Sequence, residues 1–258
     1  MTRYLSFVIV LSCVGFIPSP VLATSYYTAG HADLGLGDGD ALELHLHCHA
    51  GATVDGIVLP DPGQEYPPTT AVIVVPESTV NYVHSIGGAN ADVAANMGLS
   101  VGNDYWLLPD TLTLATTLHA PQFGLGAEDL NSGVFDGDSL TLSLLSMSGS
   151  GPMAGGQFGL QNSDSWFITT ADGITASDTI EGIPVGLHEH FNWYFTKPGD
   201  YEMTFEVSAL VGGVPESDIN TFTFQVVPEP SSLVLLASAI SAGVMLFIFR
   251  RRQEFRTQ

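Results

Sequence analysis

From residue 24 to residue 227, apolar and polar residues alternate in short runs, and Gly, Pro, Asp and Asn interrupt the chain between them. Leu42-Glu43-Leu44-His45-Leu46, Ala71 to Val75, Leu140-Thr141-Leu142-Ser143-Leu144, Trp166-Phe167-Ile168, Tyr201 to Val207 and Phe222-Thr223-Phe224-Gln225-Val226 all follow this rule. A period of two places alternate side chains on opposite faces of a strand, so each run buries one face and wets the other. No stretch of the body carries a convincing amphipathic helical pattern. The expected fold is all-β, an antiparallel β-sandwich or jelly-roll-like body, with an N-terminal signal helix and a C-terminal transmembrane helix outside it. Leu42, Leu44, Leu46, Leu140, Leu142, Phe191, Trp193, Phe205 and Phe224 are its expected core. Pro198-Gly199 at the centre of Thr196-Lys197-Pro198-Gly199-Asp200 is expected to turn between two antiparallel strands. The echo of Asp38-Gly39-Asp40 in Asp136-Gly137-Asp138 reads as two turns feeding strands, because calcium-binding arrays repeat such motifs many times.

The two ends differ from the body. Arg3, the apolar run Tyr4 to Ile17 and Val21-Leu22-Ala23 read as a signal peptide over 1–23, with signal peptidase as its partner. Val10-Leu11-Ser12-Cys13 resembles a lipobox, a second reading weakened by the apolar run continuing past Cys13. At the other end, Pro228-Glu229-Pro230 precedes an apolar stretch over 233–249 and then Arg250-Arg251-Arg252. As a helix that stretch is about 26 Å long at 1.5 Å per residue, close to the thickness of a bilayer's hydrocarbon core. The arginines mark the cytoplasmic side and place the body outside. An ordinary single-pass anchor would read the same way. The order and spacing over 228–258 resemble the PEP-CTERM sorting signal, which implies an exosortase partner, membrane attachment through the helix until the tail is removed, and delivery to the surface of a Gram-negative bacterium.

The body, 24–227, is one domain of about 200 residues, enough to bury a core without disulfide help. Cys48 is its single cysteine, which rules out an internal disulfide. Lys197 is its single basic residue, and all but Glu229 and Glu254 of the twenty-seven acids lie in it, giving a formal charge of −24. Such a surface repels nucleic acid and concentrates cations.

Histidine is placed unevenly. In Glu43-Leu44-His45-Leu46-His47-Cys48-His49, the leucines and Cys48 share one strand face and the histidines the other. His188, His190 and Asn192 repeat this pattern against Leu187, Phe191 and Trp193. Histidines two apart stand about 6.6 Å from each other along a strand, within reach of one ion. We therefore expect His45 and His47 to join His188 and His190 at one zinc site, with His31 as a further contributor; His45, His47 and His49 could share one ion only with strain. His84 and His119 read as ordinary surface residues, and Cys48 as core. Two His-x-His pairs can also be no more than the polar faces of amphipathic strands.

The run Gly186 to Ala209, with His188-Glu189-His190-Phe191-Asn192-Trp193-Tyr194-Phe195 and Pro198-Gly199-Asp200-Tyr201, resembles the actinobacterial surface-anchored repeat domain. Gly30-His31-Ala32-Asp33-Leu34, Leu44 to His49 and Tyr105-Trp106-Leu107-Leu108-Pro109 are similar in order to the wider choice-of-anchor surface proteins. The resemblance implies zinc-type metal binding by His31, His45, His47, His188 and His190, more weakly by His49 and Asn192, and a metal ABC transporter or its binding protein as partner. The pattern occurs once here, and the chain has no cell-wall sortase pentapeptide.

Two other classes stay open at this point: a structural or adhesive matrix protein with no metal role, and a zinc hydrolase. Gly98-Leu99-Ser100-Val101-Gly102 fits a nucleophile-elbow pattern, but nothing around it reads as a strand-to-helix turn. No carboxylate stands at a spacing that marks a general base. The expectation is that the chain is not an enzyme.

Overall fold

The computed structural model describes residues 24–150 and 155–228. The expected signal peptide, the lipobox-like segment, the apolar stretch over 233–249 and the arginine cluster lie outside the described residues. Among the described residues no helix is long and apolar enough to cross a membrane.

The chain forms β1 (Ser25–Asp38), β2 (Ala41–His49), β3 (Thr53–Val54), β4 (Ile57–Val58), β5 (Gly63–Tyr66) and β6 (Ala71–Val75), then α1 (Glu77–Ser85) and α2 (Ala91–Met97). Next come β7 (Trp106–Leu108), α3 (Leu112–Leu118), β8 (Pro121–Gly126), β9 (Ser139–Ser150), β10 (Phe158–Asn162), β11 (Ser165–Thr169), β12 (Thr179–Pro184), β13 (His188–His190), β14 (Asn192–Phe195), β15 (Gly199–Val211) and β16 (Val214–Val226). The body is all-β and sandwich-like, as its alternating runs require.

β1 organises the molecule because it belongs to two layers. Its first residues pair in parallel with β6 and antiparallel with β3, extending the layer β12-β9-β15-β16-β6. Beyond Gly30 it pairs with β2 on one side and β8 on the other, in the layer β5-β2-β1-β8-β13. Gly30 has φ +87°, and a Cβ there would meet Ala52 Cα at 2.7 Å, so the change of layer requires glycine. Leu44 N–H donates to Asp218 Oδ2 at 2.7 Å, tying β2 to β16 across the layers. Between them lies a core of Leu34, Leu44, Leu46, Phe123, Trp193, Phe205, Phe222 and Phe224. All the expected core residues are buried except Leu42, which is half-buried against the cluster.

Through β1 the two layers form one large twelve-stranded sheet. A separate four-stranded sheet, β11-β10-β14-β7, carries a second small core in which Val83, Val93, Ala94 and Met97 of α1 and α2 pack on Leu107 and Tyr194. Sequence reading found no helix here. The three are only seven to nine residues long, and each presents two or three buried residues, too few to build a periodic signal. Three pairings in the large sheet are parallel, β1 with β6, β1 with β8 and β16 with β6, where antiparallel strands were expected. The Pro198-Gly199 turn joins β14 to β15, which lie in different sheets, rather than closing a hairpin. The tight hairpin is Gly212-Gly213 between β15 and β16, both residues at positive φ.

Candidate metal centre

The outer face of the β5-β2-β1-β8-β13 layer is built by register. One row across it runs Glu65, His47, Asp33, Gly124, His190, and the next runs His45, Gly35, Gly126, His188. His31 and His49 follow next to the Ala32–Cys48 pair. Side chains two apart share a face, so these residues all point the same way, away from Leu34, Leu46 and Phe123.

The three glycines make room. A Cβ on Gly124 would collide with Asp33 Oδ1 and would meet Glu189 O at 2.6 Å, and one on Gly126 would meet Glu128 Oε2 at 2.6 Å. A Cβ on Gly35 would enter the His45 ring. With no side chains in those positions, residues from β1 and β13 lean together over bare β8 backbone.

There the ligating atoms converge. His31 Nε2 lies 3.0 Å from His188 Nε2, 2.8 Å from His190 Nε2 and 3.4 Å from Asp33 Oδ2. His188 Nε2 is 3.2 Å from the same carboxylate oxygen. An imidazole nitrogen has either one proton or one lone pair, so His31 Nε2 supports one of these three approaches as a hydrogen bond. Ligand atoms held at 2.0–2.1 Å from a tetrahedral zinc would be about 3.3 Å apart, close to the spacings found. Three nitrogens and one oxygen around a single point is a donor set suited to zinc.

The surroundings fit a cation. Asp33 is fully buried, and its Oδ1 has no hydrogen-bond partner. Burial opposes its ionisation, yet hydrogen bonds to His31 and His49 and the positive potential of the histidines hold its carboxyl far below the usual range. His49 Nε2 sits 2.6 Å from Asp33 Oδ2, a short charge-assisted contact that raises the His49 pKa. His190 shifts downward, first through burial and then through its histidine neighbours, which favours the neutral ring a metal needs. Both carboxylate oxygens of Glu128, from the loop after β8, are buried beside His49 and His188 without a hydrogen-bond partner.

The structure therefore brings His31, His188 and His190 together and adds Asp33, while His49 and Glu128 form an overlapping group with Asp33 and His188. It does not bring His45 and His47 into this group, although all four paired histidines were expected at one ion. β1 and β8 stand between β2 and β13, so the two pairs are three strand spacings apart, roughly 14 Å. His45 and His47 instead group with Glu65 and Asp129. Asn192 also departs, because the strand expected to be continuous breaks at Phe191: its Oδ1 accepts from Asp110 N–H at 3.1 Å, in the other sheet. His84 and His119 are exposed away from the site, with His84 3.1 Å from Asp104. Cys48 is buried on the core face, and burial pushes its thiol up to about 12. Ser100 follows the end of α2 in a turn whose N–H donates to Asn103.

Asp33, Glu128 and the glycines escaped the sequence reading. His31-Ala32-Asp33 has the same two-residue spacing as the histidine pairs, and Gly124-Leu125-Gly126 alternates like a strand with one face stripped. Those were the available signals; Glu128 offered none.

Residues 226–252 match the PEP-CTERM protein-sorting motif. The motif marks the chain as exported and surface-sorted in a Gram-negative bacterium, and implies processing by an exosortase. No curated protein and no solved structure matches the chain.

Proposed function

We propose that this surface-sorted protein binds zinc through His31, Asp33, His188 and His190 and serves a metal-uptake system as receptor, scavenger or relay. The observation that carries the reading is the approach of three ligating atoms to His31 Nε2, only one of which hydrogen bonding accounts for. When bound, zinc would supply the positive charge that joins these donors. His49 orients Asp33 through its contact with Oδ2, the usual role of a second hydrogen-bonding layer around a ligand. With Asp33 as fourth ligand the tetrahedron is filled and leaves no position for an activated water, so we assign no catalysis.

Exchange of the ion is reasonable for such a site. The ligands sit on an outer sheet face, with the His188 side chain 36% exposed on the short strand β13, so a partner can reach them without opening the core. The acidic body gathers cations near the surface. The resemblance of 186–209 to surface proteins linked to zinc-type transport points to a metal ABC transporter or its binding protein as recipient.

Zinc titration by calorimetry of the full chain, purified in detergent without added histidines, tests this. Replacing His188 and His190 with alanine should remove the tightest binding event, whereas replacing His84 and His119 should leave it unchanged. Undiminished tight binding by the His188→Ala/His190→Ala variant would overturn the proposal.

A further inference from the structure

Three side chains of the same sheet face and one from a neighbouring loop stand outside the centre just described: His45, His47, Glu65 and Asp129. One ligand atom from each lies within 4.8 Å of the other three. β2 supplies both histidines, β5 supplies Glu65 directly across from His47, and the loop after β8 supplies Asp129. His47 Nδ1 is 3.0 Å from Asp129 Oδ2.

His45 is the informative member. It is only 5% exposed, and one of its two ring nitrogens has no hydrogen-bond partner. Its Nδ1 lies 3.0 Å from the Glu43 carbonyl, which can only accept, so that nitrogen carries the proton. Its Nε2 is then the lone-pair nitrogen, and it is buried with no hydrogen-bond partner. An imidazole fixed by an Nδ1–H to a backbone carbonyl, with Nε2 left bare, is the arrangement found in metal-ligating histidines. Glycine at position 35, opposite His45, leaves the space its ring occupies.

A cleft of about 560 Å³ opens beside this group and reaches His49, which contacts Asp33 of the first one. His47, His49, Gly63, Glu65, Glu128 and Asp129 line it. The His47 and His49 rings stack at 4.5 Å, and His49 stacks in turn on His31 at 4.1 Å. Ligating side chains thus run without a gap from Glu65 and Asp129 at the rim, through His47, Glu128 and His49, to Asp33 and His31.

We propose that His45, His47, Glu65 and Asp129 form a second site for a divalent transition metal, weaker than the first, through which the ion enters or leaves along the cleft. Two nitrogens and two carboxylate oxygens suit zinc or a neighbouring first-row ion. Glu65 and Asp129 are exposed, so this site meets solvent first and holds its ion less firmly than the histidine-rich centre. The role as an entry site rests on the function proposed above; the site itself does not.

The test is the stoichiometry of zinc binding to the full chain, by calorimetry and by metal analysis after gel filtration, with circular dichroism to confirm that each variant is folded. The parent should bind two ions, one at least tenfold weaker. Glu65→Gln with Asp129→Asn, two exposed changes that preserve side-chain size, should leave the tighter ion alone. His188→Ala with His190→Ala should leave the weaker one alone. A parent that binds one ion, lost only in the His188/His190 variant, refutes the second site and leaves the first standing. One ion lost only in the Glu65/Asp129 variant refutes the first and keeps the second. Two ions in the Glu65→Gln/Asp129→Asn variant would also overturn the inference.

Discussion

At Gly124 the site depends on a missing methyl group. The residue pairs with Asp33 on one side and His190 on the other, and a Cβ would press on the Asp33 carboxylate and the Glu189 carbonyl together. Gly124→Ala should therefore push β1 and β13 apart, costing about 1–3 kcal/mol of stability and weakening zinc binding tenfold or more in a calorimetric titration. His49→Ala separates orientation from ligation: it removes the 2.6 Å contact to Asp33 while the four proposed ligands remain. Affinity should fall about 10–100-fold without disappearing. Protons compete with the metal for imidazole nitrogen, so binding should weaken as pH drops below about 6.5. His190, whose pKa burial lowers, should stay neutral further into acid than an ordinary histidine.

Among the elements, the long β15–β16 hairpin shows how local chemistry sets register. Val211 faces Val214 across Gly212-Gly213, and the N–H groups of both glycines donate to the Asp136 carboxylate at 2.9 and 2.7 Å. Asp136→Ala should cost about 1 kcal/mol and lower the melting temperature by about 2–4 °C for a body of this size. Zinc binding, on the opposite layer, should be unchanged. The echo at Asp136-Gly137-Asp138 was legible as a turn, but not its grip on a hairpin more than seventy residues away. The same division runs through the rest of the fold. Alternation within β2, β9, β15 and β16 was plain because each strand is long and buries one face. The break at Phe191 was not, since His188 and Asn192 keep perfect alternation while they serve different sheets. For the site, the sequence marked His31 and the histidine faces of β2 and β13 as candidate ligands, but neither Asp33 nor the strand that carries it. The grouping of histidines depends on β1 and β8 lying between β2 and β13, and parallel pairings between distant segments leave no local trace.

For the molecule as a whole, the sorting motif and the acidic body describe a protein that works outside the inner membrane. In spheroplasts, a broad-specificity protease added from outside should digest the body and spare the Arg250–Arg252 segment; a protected body would contradict this topology. Trypsin would be a poor choice, since Lys197 is the single basic residue between 24 and 227. The central claim, a zinc centre on the outer sheet face, is tested most directly by X-ray absorption at the zinc edge, on full chain loaded with one equivalent of zinc. The account predicts four nitrogen and oxygen neighbours at about 2.0–2.1 Å, with the outer-shell scattering of imidazole rings. A sulfur neighbour at about 2.3 Å, or a shell of oxygen without imidazole, would contradict it.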